Sequence, residues 1–170
     1  ALDMSSPEVI SYLHRVISKI LRENNIEYVK WDINRSICDW YTPTLPERRQ
    51  LELPHRYILG LYELLERLTG EFPDILFEGC CGGGGRFDAG MLYYCPQTWC
   101  SDDTDAHERT VIQYGTSFFY PISTVGSHVS AVPNHQTGRM TSIQARGAVA
   151  MAGSFGYELD LNTLSEEEKQ

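Results

Sequence analysis

Apolar residues near the start of the chain recur at helical spacing. Val9, Ile10, Leu13, Val16, Ile17, Ile20 and Leu21 form one stripe. Ser6 as N-cap, Pro7 at the first helical position and Glu8 against the dipole predict where this helix begins; Asn24-Asn25 predicts where it ends. The short β-branched and aromatic segment from Ile26 to Asp32 predicts a strand. A loop from Pro43 to Pro54 leads to a second apolar stripe of Tyr57, Ile58, Leu61, Leu64, Leu65 and Leu68, stopped at Gly70. Further strands are predicted at Asp74–Glu78, Gln97–Ser101, Ser117–Pro121 and Ser154–Asp160. Helices are predicted at Asp105–Tyr114, where Asp105 and Glu108 have capping-box spacing, near Thr141–Ala152, and from Ser165 onward. A long loop holding Gly126, Pro133 and Gly138 separates the fourth strand from the next helix.

Helices alternating with strands predict βα units, a parallel sheet and right-handed crossovers. Five strands would complete a doubly wound sheet, whereas a (β/α)8 barrel needs eight strands and about 250 residues. The chain has 170 residues, opens on Ala1 without an initiator Met and closes at Gln170 on what reads as a helix just starting. These features favour a partial (β/α)8 barrel, roughly its last four to five βα units, cut from a longer catalytic domain.

Composition narrows the classes. With 42% hydrophobic and 22% charged residues, the chain is an ordinary globular one. There is no apolar run long enough for a membrane span and no signal-peptide pattern, so the expectation is a cytoplasmic protein without a membrane partner. A net charge of −9 repels phosphate backbones and argues against a nucleic-acid partner. The five cysteines are Cys38, Cys80, Cys81, Cys95 and Cys100. None has zinc-site spacing, which fits reduced thiols and predicts no metal.

In parallel α/β folds, function collects at the carboxyl ends of strands. Strand one ends Lys30-Trp31-Asp32 with Asn34 beyond; strand two ends Glu78-Gly79-Cys80; strand three ends Trp99-Cys100-Ser101-Asp102. Lys30 and Asp32 share a face by strand alternation, so the lysine is expected to hold Asp32 ionised, as attack on a sugar carbon requires. An internal ion pair closing the strand is the plain structural reading. Asp102, Asp103 and Asp105 crowd together, so one is expected to keep its proton and serve as general acid; Asp102 is nearest the strand end, and Asp105 serves mainly as a helix cap. Two such carboxyl groups are the machinery of glycoside hydrolysis.

Gly82 to Gly85 lack the P-loop ending and the dinucleotide spacing, so they read as a place where backbone approaches a bulky neutral ligand. Cys80 has no activating His in view and reads as a buried wall of the pocket. Trp31, Trp40 and Trp99 are candidate stacking faces for a sugar, with core packing as the plain alternative, and Trp99 is the best candidate of the three. His128 and His135 are placed in the long loop as anchors, and Asn34-Arg35-Ser36 matches a glycosylation sequon at a site where modification is not expected.

Five ordered blocks then carry a resemblance: Lys30-Trp-Asp-Ile-Asn-Arg35, Glu78-Gly-Cys-Cys-Gly-Gly-Gly-Gly-Arg-Phe-Asp88, Trp99-Cys-Ser-Asp-Asp-Thr-Asp105, Ile112-Gln-Tyr-Gly-Thr-Ser117, and Gly126-Ser-His-Val-Ser130 with Pro133-Asn-His-Gln136. The chain resembles the alpha-galactosidases of glycoside hydrolase family 36. The resemblance implies a (β/α)8 catalytic domain, a retaining double displacement, and removal of terminal alpha-linked galactose from raffinose- or melibiose-type sugars. It implies Asp32 as nucleophile and Asp102 as acid/base. It implies Lys30, Asn34, Cys80, Gly82 and Trp99 as substrate-binding residues, no cofactor, and a homo-oligomeric, often tetrameric, parent. Cys81 stands where the family usually has Ser, and Ile33 where it has Met. The flanking β domains and the first barrel strands lie outside the chain, so the alternative reading is an inert or carbohydrate-binding fragment.

Overall fold

The computed structural model describes residues 2–34 and 37–169. The sequon at Asn34-Arg35-Ser36 therefore falls partly outside the described residues. In chain order the elements are α1 (Pro7–Glu23), β1 (Tyr28–Trp31), α2 (Leu53–Glu71), β2 (Leu76–Gly79), α3 (Ala89–Tyr94), β3 (Gln97–Thr98), α4 (Ala106–Ser117), β4 (Gly126–Ser130), α5 (Ile143–Ala150) and β5 (Ser154–Glu158). Every strand pairing is parallel: β1 with β2, β2 with β3, and β4 with β5. A single parallel bridge between Thr98 and Val125 joins the two groups. The strands thus follow one another across the sheet in the order of the sequence, as alternating βα units dictate.

The second stripe is buried as predicted; of the first, Ile10 and Leu21 are buried, Val9, Leu13 and Ile17 partly so, and Val16 and Ile20 are exposed. Ile10 and Leu21 of α1 meet Leu61, Leu64, Leu65 and Leu68 of α2, and Phe77 of β2, Met91 and Cys95 close the same cluster. Leu64, Leu65 and Leu68 are completely shielded from solvent. Each such side chain contributes about 1.5–3 kcal/mol by leaving water. Ser6 precedes α1 as expected, but its hydroxyl donates to the Glu8 carboxylate rather than accepting a helix N–H.

Several expected elements are corrected. Ser117–Pro121 is not a strand. The N–H groups of Phe118, Phe119 and Tyr120 donate to carbonyls of Gly115 and Thr116, so they finish α4 as tight turns. Phe118 and Phe119 are 68% and 84% exposed, where a barrel strand would bury them. Aromatic β-propensity misleads here because propensity reports burial and packing that this segment does not have. The fourth strand is instead Gly126–Ser130, within the segment read as loop. Its serines are buried yet satisfied: Ser127 Oγ donates to Gln113 Oε1 at 2.7 Å, and Ser130 Oγ to the Thr104 carbonyl at 2.7 Å. Helix α3, capped by Asp88 accepting the Met91 N–H at 2.9 Å, lies in what read as an extended glycine-rich loop. The third strand is two residues long, and α2 begins at Leu53 rather than after Pro54. Ser165 starts a single turn: its carbonyl accepts the Lys169 N–H at 3.1 Å. Among the described residues no helix is long and apolar enough to cross a membrane.

Candidate functional site

The strand ends deliver their polar residues to one rim. Asp32 lies just past β1 and is exposed; Asp102 lies past β3 and is exposed. Asn34 binds both Asp32 and the glycine-rich loop. Its Nδ2 donates to Asp32 Oδ2 at 2.9 Å, and its Oδ1 accepts the Gly82 N–H at 2.8 Å. The next glycine touches the other side. A Cβ on Gly83 would lie 2.7 Å from Ser101 Cα and 2.9 Å from the Asp102 nitrogen. Gly83 also has φ +79° and Gly82 φ +51°, a region that side chains rarely enter. Gly83 and Gly84 press against the Cys100–Asp102 backbone, where a Cβ would come within 2.7 Å of main-chain atoms, Gly85 would press its own loop at the Cys81 carbonyl, and Gly82 is needed for its backbone conformation rather than for space.

The same loop is a poor phosphate cradle. The Gly82 N–H is taken by Asn34, the Cys81 N–H by the Gly83 carbonyl and the Gly85 N–H by the Cys81 carbonyl. Among the described residues no cluster of His, Cys, Asp or Glu has the geometry of a metal site.

Cys80 forms the floor. It is buried, and burial pushes its thiol up to about 11, with a hydrogen bond to Asp32 acting in the same direction. It is a wall residue and not a nucleophile at neutral pH.

Lys30 corrects an expectation. Its ion-pair partner is Glu78, with Nζ 3.7 Å from Oε1, and not Asp32. The reason is register. Lys30 and Glu78 are direct cross-strand partners in the β1–β2 pair. Such neighbours stand about 4.8 Å apart, whereas residues two along a strand are about 6.6 Å apart. Glu78 is buried and also accepts hydrogen bonds from Tyr28 and from Gln97 Nε2. Burial dominates its titration and holds the carboxyl above the ordinary glutamate range.

Trp99 is buried rather than displayed. Lys30 Nζ lies 4.7 Å and Arg109 Cζ 4.3 Å from its ring, and the His128 ring lies 4.7 Å away between centroids. His128 therefore belongs to β4 and the interior, not to a loop. Burial, then Lys30 and Arg109, hold its imidazolium form below the ordinary value. Trp31 packs against Phe77 at the edge of the core, while Trp40 meets Tyr57 edge-on and stays exposed.

The three neighbouring acids have different surroundings. Asp105 caps α4, accepting the N–H groups of His107 and Glu108 at 2.8 and 3.3 Å. Burial works to raise its pKa, but Thr137, those N–H groups and Arg139 together hold it below the ordinary value. Glu108 pairs with Arg139 rather than closing a capping box; the Asp105 N–H goes to Asp103 Oδ1 at 3.0 Å. Asp102 is left exposed at the rim.

Sequence reasoning passed over Arg109, and it brought Glu78 and His128 to the rim without their partners Lys30 and Trp99. For Arg109 the sequence offers one signal, a lone Lys/Arg position on a helix entered through three acids.

A parallel α/β chain with a carboxylate beyond the carboxyl end of each of two strands, bridged by a glycine loop, has its polar residues where parallel α/β proteins gather their functional sites. Comparison then gives the family. The Melibiase family model matches residues 1–170, and the chain belongs to that family. It is 58% identical over 169 residues to alpha-galactosidase AgaA of Geobacillus stearothermophilus, covering 99% of this chain and 23% of that protein. It superimposes on the alpha-galactosidase of Lactobacillus brevis with a TM-score of 0.97 at 54% identity, covering 99% of this chain and 23% of that one. AgaA structures in complex with raffinose and with stachyose, each carrying a substituted aspartate, match with a TM-score of 0.97 at 57% identity, covering 99% of this chain and 24% of theirs. The chain thus spans about a quarter of the length of these relatives.

Proposed function

We propose that this chain carries the two catalytic carboxylates of a retaining alpha-galactosidase acting on raffinose-type oligosaccharides. In this reading, residues 1–170 are the later part of a (β/α)8 catalytic domain, whose other strands complete the sugar pocket. Asp32 attacks the anomeric carbon while Asp102 protonates the departing oxygen. Asp102 then takes a proton from water as the water displaces Asp32, and two inversions give retention. Lys30, Asn34 and Cys80 border Asp32 and are assigned to the galactose hydroxyls. Gly82 is assigned to the space above: an added Cβ there meets nothing nearer than Asn34 Oδ1 at 4.0 Å. Trp99 backs the pocket. No cofactor enters the reaction.

The observation that supports the reading is the bridge from Asp32 through Asn34 and Gly82-Gly83 to the Asp102 backbone. The relatives add a second support. In AgaA the aspartates replaced in the raffinose and stachyose complexes lie 70 positions apart, the spacing of Asp102 and Asp32 here.

The test is azide rescue in the complete polypeptide that carries this sequence. Asp32→Ala and Asp102→Ala are each assayed with p-nitrophenyl alpha-galactoside. Removal of the nucleophile should yield the beta-galactosyl azide, and removal of the acid/base the alpha-galactosyl azide. Full activity of Asp32→Ala, or the same anomer from both variants, would overturn the assignment.

A further inference from the structure

Arg109 is buried in α4, 4% exposed, and no carboxylate lies within ion-pair distance of it among the described residues. Its guanidinium is spent on the backbone around Asp102. Nε donates to the Asp103 carbonyl at 2.6 Å and Nη2 to the Ser101 carbonyl at 2.6 Å. These are the carbonyls on either side of Asp102. Nη1 donates to the Gly126 carbonyl at 3.1 Å and to Cys100 Sγ at 3.3 Å. The same group stacks on Trp99 at 4.3 Å. One planar fork therefore fixes the residues before and after Asp102, the start of β4 and the tryptophan ring. A lysine has one point of attachment and cannot reproduce that fork.

A buried cation without a carboxylate partner is costly unless its donors are satisfied. Here four donor contacts go to carbonyls and sulfur, and three of them lie within Cys100–Asp103. Asp102 itself is exposed, and its backbone is held from below by Arg109 and from the side by Gly83. We infer that Arg109 is the positioning residue for proton transfer by Asp102: it holds the 100–103 segment so that the carboxyl stays in line with the departing oxygen. This inference rests on the acid/base reading of Asp102. A proton donor displaced by about 1 Å costs up to about a hundredfold in rate.

The test separates positioning of an acid from general damage through the leaving group. Protonation matters for a sugar leaving group and little for p-nitrophenolate. Arg109→Lys, Arg109→Gln and Asp102→Ala are made in the complete polypeptide, and kcat/KM is measured on raffinose and on p-nitrophenyl alpha-galactoside. The expected result is a loss on raffinose at least about tenfold larger than on the aryl substrate for the Arg109 variants, with the same pattern, larger, for Asp102→Ala. Equal losses on both substrates in Arg109→Lys and Arg109→Gln, with Asp102→Ala selective, would overturn this inference alone. Equal losses in Asp102→Ala would overturn the acid/base reading and this inference with it. Failure of both Arg109 variants to melt cooperatively would also overturn it, because Arg109 would then be holding the fold rather than the segment.

Discussion

Arg139 reaches back 34 positions along the chain to pair with Asp105, a carboxylate that is 1% exposed and already caps α4. The pair ties the loop after β4 to the base of the segment that presents Asp102. Thr137 Oγ1 donates to the same carboxylate, and the Asn134 side chain accepts the N–H groups of Gln136 and Thr137 at 2.9 and 3.0 Å, so the loop is folded around Asp105. Asp105→Ala removes the cap and leaves the partly exposed Arg139 with Glu108 alone, and is expected to cost about 1–2 kcal/mol, mostly from the lost cap. Asp105→Asn keeps an acceptor for the helix and should cost less. Urea unfolding of the two variants beside the parent ranks them.

Gly83→Ala should damage stability and rate together. The added methyl meets Ser101 Cα at 2.7 Å and the Asp102 nitrogen at 2.9 Å, from a backbone with φ +79°. Both partners are main chain, so neither can swing aside. The expected loss is about 2 kcal/mol or more. Denaturant midpoints and kcat/KM on an alpha-galactoside, read on one preparation, check it; an unchanged midpoint contradicts the packing argument.

His128 sets an acid-side slope. Burial, with Lys30 and Arg109 adding repulsion, places its folded pKa below the ordinary 6.5, while Glu158 at 3.9 Å is half exposed and does not reverse this. Between the two values the unfolded chain binds a proton that the folded chain refuses. Stability is therefore fully present above about 6.5 and is lost as the pH falls through the window toward the folded value. His128→Phe keeps a ring against Trp99 without the titration. Its urea midpoint should fall less than the parent's between about pH 7.5 and about pH 5.

The Cys80 thiol should resist alkylation. With its pKa pushed up to about 11 and the side chain buried, thiolate is scarce and shielded. Iodoacetamide at about pH 8 should leave the Cys80 peptide unlabelled in the native protein and label it after denaturation, as read by peptide mass. Native labelling at the denatured rate would contradict the burial.

The sequence is legible where one physical term dominates. The stripes from Val9 to Leu21 and from Tyr57 to Leu68 are long and periodic; the structure buries the second, and of the first it buries Ile10 and Leu21 while Val16 and Ile20 stay exposed. The positions of Asp32 and Asp102 at strand ends follow from alternation alone. Phe118 to Tyr120 mislead because burial, not aromatic character, makes a strand, and nothing local reports burial. Gly126–Ser130 hides for the opposite reason: a strand whose serines are satisfied by Gln113 and the Thr104 carbonyl looks polar on paper. Lys30 finds Glu78 rather than Asp32 because pairing register is a property of two distant segments. Arg109 is the extreme case, since its partners are carbonyl oxygens, which carry no residue identity at all.

The succession of strands has a consequence for biosynthesis. Each strand from β1 to β5 finds its neighbour in the one made just before or just after it. Between β1 and β5 each hydrogen-bonded neighbour is encoded in the adjacent unit, so each pairing closes a loop of one βα unit. The architecture can therefore accrete unit by unit as the ribosome releases it, each new helix and strand docking on a surface already in place.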